Sequence, residues 1–479
     1  MSPTLLTLGK LATLAPAWPA LGVLLLSLLV LWREKPTERS IVLISQAALW
    51  LSLLSVLLGV GAFFAGGMVP LDIRLGHFYQ ADDYGFELLF LLDGTSLSVA
   101  LLASVLLLAT SRFSVHYLHR EPGFLRFFLL MLTFGGGMLL LLLSGSYDLL
   151  FAGWEVVGLT SVLLVSFFHE RTGPIRASLR VLVTYRICDI GLLLGAVSLH
   201  LALHTTGFVD IHHHLQDHAE GFPATAIGLL LLFAAMGKSA LFPVGGWLPR
   251  AMEGPTASSA VFYGGLSVHA GVYLLIRSGP IFAHSPWVQL ALVLIGGISA
   301  LMATLSGQVS ADAKTSLVYA TISQVGLMVV LCGLGFYRLA TLHLVSHALL
   351  RYYQFLRTPS VLQDTLQRRS ALGMTQPDEV ARRFDNLPSE LRRFIYRLAV
   401  ERFEVEAALD SWFTRPVLRA ARVLSNLERR FLLRLTGHGT EDSSSSPGAE
   451  PGLVSEAAPH LPTPAAQAKP SDAHPGGQP

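Results

Sequence analysis

The 479-residue chain is 52% hydrophobic and only 14% charged, with a formal net charge of +2 and a mean hydropathy of +0.54. A soluble domain carries roughly 25% charged residues, so this composition excludes a soluble catalytic core. The near-zero net charge singles out no partner by bulk electrostatics.

Apolar runs of about 20 residues, each long enough to cross ~30 Å of hydrocarbon, recur along the chain. About eleven spans are predicted, at 15–32, 41–66, 88–111, 125–147, 148–168, 177–203, 225–249, 256–278, 286–306, 315–335 and 337–356. The N-terminus has no basic n-region and no A-x-A-like site after its first apolar run, and reads as a retained helix rather than a cleaved signal. Arginine and lysine alternate between loops. Arg33, Lys35 and Arg39 follow span 1; Arg112, Arg120 and Arg126 follow span 3; Arg171 and Arg176 follow span 5. The loops after spans 4 and 6 have none, and the loop after span 2 has only Arg74. Positive residues mark the cytoplasmic side, which predicts an outside N-terminus and a cytoplasmic C-terminus.

The fifth and sixth spans carry Glu155 in "FAGWEVVGLTS" and Arg186 with Asp189 in "YRICDI". Three residues apart, Arg186 and Asp189 share one helical face. A local ion pair explains them as well as proton carriage does. Between spans 6 and 7, "DIHHHLQDH" (Asp210 to His218) suggests either a metal site or a solvated outer loop. The seventh span holds Lys238 and is interrupted by Pro243, Gly245 and Gly246. A proline removes a backbone donor, and freed backbone at membrane depth is tolerated only against protein or water. A lysine there is costly by roughly 2.5–3.5 kcal/mol on insertion scales. A static Glu155–Lys238 pair is one way to offset that cost. Lys314 stands in "SADAKTSLVYATISQVG", with Asp312 near a span end where both could snorkel. His343, His347 and Arg351 follow at i, i+4 and i+8, one helical stripe. Cys188 and Cys332 both lie in apolar spans and read as packed thiols.

Residues 375–436 are rich in arginine and glutamate with apolar residues at helical spacing, which predicts amphipathic helices at the membrane surface or against a partner. From 437 onward the Ser/Pro/Ala/Gly-rich composition predicts disorder. Burial disfavours the ammonium form of a lysine and a nearby carboxylate restores it, while imidazole titrates near neutrality. A row of such groups beside a broken helix suits proton relay. The spans contain no nucleotide loop, metal-ligand set or nucleophile constellation, so no cofactor is expected.

Across roughly residues 85–357, "LLDGTSLS", "GWEVVGLTS", "YRICDI", "GKSALFPVGGWLPRAMEGPTASSA", "DAKTSLVYATISQVG" and "HLVSHALLRYYQFL" resemble the antiporter-like proton-translocating subunits of respiratory complex I. The likeness is greatest to its subunit L (chain 5), within the superfamily of multi-subunit Na+/H+ antiporters. The resemblance implies an all-α transmembrane bundle of two inverted five-helix repeats, here one complete repeat with its broken helix and three helices of the second. Together with the composition after residue 357, it gives expected domains at 1–124 (N-terminal helices), 125–278 (first repeat), 286–357 (partial second repeat), 358–436 (cytoplasmic amphipathic region) and 437–479 (tail). By the same resemblance, Glu155 and Lys238 look like the family's input pair, Arg186 and Asp189 its modulating charges, Lys314 its connecting lysine, and His343 and His347 its histidine relay. Two positions depart from the pattern: Tyr263 stands where the family has a histidine, with His269 six residues on, and Arg351 stands where it has a lysine. Tyr263 and His269 are therefore both relay candidates. At about 100° per residue, six residues are 600°, so the two need not face the same way.

The expected function is a proton-conducting, not independently catalytic, subunit of a larger complex in an energy-transducing, bacterial-type inner membrane. Its partners would be other integral membrane subunits and a soluble cytoplasmic one, with no nucleic acid. A subunit of a proton-driven inorganic-carbon uptake complex and a non-conducting structural subunit are the alternatives.

Overall fold

The computed structural model describes residues 3–32, 36–81, 84–217, 220–310, 312–371, 389–400, 411 and 415–435. The expected disordered tail at 437–479 and most of 400–413 lie outside them. The chain falls into two units, Met1–Pro416 and Val417–Pro479.

The first unit is a helical membrane bundle. In order it has α1 (Pro3–Ala12), α2 (Ala17–Trp32), α3 (Glu38–Ala65), β1 (Leu71–Ala81), β2 (Tyr84–Leu92), α4 (Gly94–Tyr117), α5 (Phe124–Leu143), α6 (Tyr147–Val165) and α7 (Thr172–Leu203). There follow α8 (Phe208–Asp217), α9 (Ala224–Lys238), α10 (Trp247–Arg250), α11 (Thr256–Ser259), a π-helical turn (Ala260–Gly265), α12 (His269–Arg277) and α13 (Gly279–Phe282). Then come α14 (Pro286–Gln308), α15 (Ala313–Gly333), α16 (Tyr337–Ala371) and α17 (Ser389–Val400). Among the described residues, eight helices are long and apolar enough to cross a membrane, or nine when α1 and α2, bent by 44°, count as one. The other two of the eleven expected spans are α9, which stops at a break, and α16, which runs past residue 357 to Ala371. The 21-residue helix α18 (Arg415–Leu435) belongs mainly to the second unit.

Helix starts follow side-chain chemistry. Asp93 and Ser96 form a reciprocal capping box on α4, Ser146 caps α6, and Asp312 accepts from Thr315 N at 2.8 Å to cap α15. Each satisfies amides that the first turn leaves unpaired. Glycine lets α5 and α6 approach closely. A methyl at Gly153 would lie 2.6 Å from Leu141 N, inside any allowed contact.

The antiparallel hairpin β1–β2 adds to the helical class. Leu71 faces Leu92 and Ile73 faces Phe90, with register irregularities around His77. The apolar "FELLFLL" that opens the third expected span is therefore mostly strand, and α4 begins at Gly94 instead. A bridge from Phe90 to Ser144 ties the hairpin to the bundle end from which α6 departs, and a second, from Ser146 to Gly207, joins the start of α6 to the segment before α8. Arg74 reaches Asp210 at 2.9 Å, joining the hairpin to α8, so part of the "DIHHHLQDH" stretch serves as an anchor. His218 lies outside the described residues. Burial pushes the Asp72 carboxyl above its ordinary range, against the pull of neighbouring Arg74.

At the same end, Arg277 of α12 donates to both Asp93 oxygens, at 2.6 and 3.0 Å. Its Nε donates to Tyr273 Oη at 3.0 Å, and Tyr273 donates to Leu142 O at 2.5 Å. One guanidinium thus joins α4, α5 and α12.

Candidate functional site

Helix α9 rises about 21 Å from its first residue to Lys238, more than half of the ~30 Å hydrocarbon thickness. There it ends. Ser239 caps it, Ala240 takes the left-handed conformation (φ 52°), and residues 239–246 form turns before α10. The break expected from Pro243, Gly245 and Gly246 is present, and Lys238 stands at its edge.

Lys238 is wholly buried. Its Nζ donates to Trp154 O at 3.1 Å and lies 4.2 Å from the Tyr185 ring centroid and 5.0 Å from that of Trp154. Among the described residues no carboxylate comes within 4.0 Å of it. The direct Glu155–Lys238 pair is therefore not formed. Glu155 pairs with Arg186 instead, and Arg186 also donates to Asp189 Oδ2 at 3.0 Å. The planar guanidinium has enough donors to hold both carboxylates. Asp189 in turn accepts from Trp154 Nε1 at 2.5 Å. Trp154 is thus the link that sequence reasoning passed over. Its indole holds the acid and its carbonyl holds the lysine, although it stands beside Glu155 in the same motif.

The magnitudes show how loosely this ammonium is compensated. Two cation–π contacts to a desolvated ammonium supply about 2 kcal/mol each, and one charge-assisted hydrogen bond about 1.5–3. Desolvating an ion costs several kcal/mol. The balance depends on the carboxylates beyond Trp154, which Arg186 partly neutralises. Moving Arg186 between Glu155 and Asp189 changes the field at Lys238 without moving the lysine. The pair is also accessible from one side of the bundle, with side-chain exposures of 26% for Glu155 and 45% for Arg186.

Gly158 leaves the room that Lys238 occupies: a methyl there would lie 2.5 Å from Nζ. Gly158→Ala is expected to swing the ammonium off Trp154 O and to slow any transport through it several-fold while the bundle still folds. Flux in proteoliposomes, with the unfolding temperature as control, checks this.

A second group lies across α12, α15 and α16. His269 Nε2 and His347 Nδ1 share a hydrogen bond of 3.0 Å, and Arg351 Nε donates to His347 Nε2 at 3.1 Å. Because His347 Nε2 accepts there, its Nδ1 carries the proton toward His269 in the neutral ring. His343 packs edge-on to His347 at 6.0 Å between centroids and bonds Gln324 Oε1 at 3.0 Å. His269 therefore joins the histidine stripe. The π turn breaks the 100° phase between it and Tyr263, as such turns do near functional sites. Tyr263 points elsewhere, edge-on to Trp247 at 5.8 Å, and its buried hydroxyl has no partner among the described residues. Trp247 packs on Tyr185 and donates to Gly237 O, and Ser239 Oγ donates to Val268 O at 2.8 Å. The residues after Lys238 thus touch the residue before His269.

Lys314 is not brought to either group. It lies in the first turn of α15, at the bundle end opposite the hairpin, where Nζ donates to Thr256 Oγ1 at 3.4 Å. Tyr117, the last residue of α4, donates to the same hydroxyl at 3.2 Å.

Residues 144–377 match the family model described as NADH:quinone oxidoreductase/Mrp antiporter, transmembrane. Over those residues, just under half of its length, the chain has a transmembrane domain of that description. The antiporter-like domain contains every relay candidate named above. NADH-ubiquinone oxidoreductase chain 5 of Neurospora crassa is 35% identical over 317 residues, 64% of this chain and 44% of that protein. NADH-quinone oxidoreductase subunit L of Mycobacterium tuberculosis is 36% identical over 282 residues, 58% of this chain and 44% of that protein. The chain thus spans less than half the length of these relatives. Among solved structures, a chain of the Mrp complex from Dietzia sp. DQ12-45-1b aligns with 73% of this chain and 37% of its own length, at 26% identity and TM-score 0.61. A chain of an archaeal membrane-bound sulfane sulfur reductase covers 72% of this chain and 70% of its own at TM-score 0.62 and 20% identity, a likeness of fold.

Proposed function

We propose that this chain is a proton-conducting subunit of a multi-subunit membrane complex. The observation that carries the reading is Lys238: a wholly buried ammonium at a helix break, held by one carbonyl and two rings rather than by a carboxylate. A lysine kept only for packing would be better replaced by an apolar residue of similar volume. In this reading Arg186 alternates between Glu155 and Asp189. Each position favours one protonation state of Lys238. The released proton passes by water near Ser239 and Val268 toward the hydrogen-bonded His269–His347 pair, with His343 packed beside it. Tyr263, with its open hydroxyl facing the same core, stands beside that route and offers a site for a relaying water. Arg351 keeps its charge throughout and orients His347 rather than carrying the proton. Lys314 stands at the far end, as a terminus of the path and not its centre.

The alternating loop arginines support an outside N-terminus and a cytoplasmic C-terminus in an energy-transducing membrane. The accessible Glu155–Arg186 pair supports a neighbouring membrane subunit on that face, because charges do not face lipid at this depth. The relatives are named as subunits of oxidoreductase and Mrp complexes, in keeping with such an assembly.

Glu155→Gln tests the reading. It keeps the shape and removes the charge, so proton flux by the reconstituted complex should fall about tenfold, equivalent to ~1.4 kcal/mol on the transfer barrier, with assembly intact. Unchanged flux would exclude a gating role for Glu155.

A further inference from the structure

Helix α18 has the sequence RPVLRAARVLSNLERRFLLRL, with six arginines and one glutamate. Every residue in it whose exposure is described is exposed, including Val417 (46%), Leu424 (69%), Leu427 (57%) and Phe431 (63%). At 3.6 residues per turn these four fall within an arc of roughly 80°, and Arg415, Arg419, Arg422 and Arg429 fall within a similar arc on the opposite side. Leu418 and Val423, exposed at 44% and 56%, lie on the flanks of the arginine side, but the main apolar arc and the main arginine arc still oppose each other, as in an interfacial helix. Six large apolar side chains bared to water on one helix of 21 residues would drive self-association, so the apolar face needs a cover. The arginine excess decides which. An anionic leaflet attracts each nearby basic residue with an effect of about fivefold on partitioning, and arginine stems reach from a buried helix to headgroup phosphates. Glu428 lies on the apolar side and opposes deep insertion.

We propose that α18 lies in the interface of an anionic bilayer, with Val417, Leu424, Leu427 and Phe431 in the acyl boundary and Arg419, Arg422 and Arg429 against lipid phosphates. This role is separate from proton conduction and does not depend on which leaflet is cytoplasmic.

The test uses the full chain in nanodiscs of phosphatidylcholine, with or without phosphatidylglycerol, so that both leaflets have one composition. Cys188 and Cys332 are both buried, which leaves Leu427→Cys and, in a second protein, Asn426→Cys for labelling with an environment-sensitive fluorophore. The label at 427 should brighten several-fold when phosphatidylglycerol is present and should be quenched by brominated lipid. The label at 426, on the arginine side, should stay as in water. Combined Arg419→Gln, Arg422→Gln and Arg429→Gln should return the signal at 427 to its neutral-lipid value, and Glu428→Gln should increase quenching. A signal at 427 that is equal in both lipids, or an apolar signal that brominated lipid does not quench, means that solvent or a protein groove covers the face and overturns the proposal.

Discussion

Lys238→Met is expected to abolish proton flux and leave the bundle at least as stable as before. Methionine fills most of the lysine volume, keeps the contacts with Trp154 and Tyr185, and removes a buried charge with incomplete compensation. Replacing buried ionic groups by well-packed apolar ones is often neutral or stabilising by 1–4 kcal/mol. Function and stability therefore move in opposite directions. Flux should drop by roughly two orders of magnitude or more, the loss expected when an essential proton-transfer group is removed. Unfolding in detergent should occur at the same or a higher temperature. Lys238→Ala should also lose flux, but with a stability cost from the cavity it leaves. Flux that survives in both variants would mean that protons, if they cross this chain, do not pass through Lys238.

The largest stability effect is expected at Arg277. Its guanidinium holds Asp93 through two hydrogen bonds, with side-chain exposures of only 8% and 20%. Arg277→Ala leaves a buried carboxylate without its cation and Tyr273 without a donor. Breaking a buried pair from one side costs about 3–5 kcal/mol, which in a protein of this size lowers the unfolding temperature by roughly 3–5 °C. The double replacement Asp93→Asn with Arg277→Met should recover most of that loss, because neither remaining group is an orphaned charge. Thermal unfolding of the parent, Asp93→Asn, Arg277→Met and the double variant gives the coupling directly. If the double variant is as unstable as Arg277→Ala, the cost lies in packing and not in the uncovered carboxylate.

The two predictions differ in how visible their residues are in the chain. Lys238 announces itself: a lysine inside an apolar run, five residues before a proline, is rare enough to demand a role. Arg277 sits near a span end, where snorkelling arginines are common, and Asp93 lies in a motif that reads as a helix cap. Nothing in one dimension says that these two meet 184 residues apart. Trp154 was equally hidden. Its neighbour Glu155 carries the charge that draws attention, yet the indole and carbonyl of Trp154 connect Asp189 to Lys238. The hairpin had a legible signal in the alternation of "LDIRLGHFYQ", masked by the apolar run of β2 that looked like the start of a span.

The sequence by itself determined the membrane class, most span positions, the break after Lys238 and the identity of the rare buried charges. The reason is the solvent: hydrocarbon demands apolar runs of a set length and makes every charge and every helix-breaking proline conspicuous. Only the tertiary structure decided which charges pair. Arg186 rather than Lys238 holds Glu155, His269 rather than Tyr263 meets His347, and Lys314 stands apart at a helix end. Those outcomes depend on the depth and rotation of each helix. Close glycine contacts between α5 and α6 and the π turn before α12 set both, and a π turn shifts rotational phase by an amount that a regular helical period does not contain.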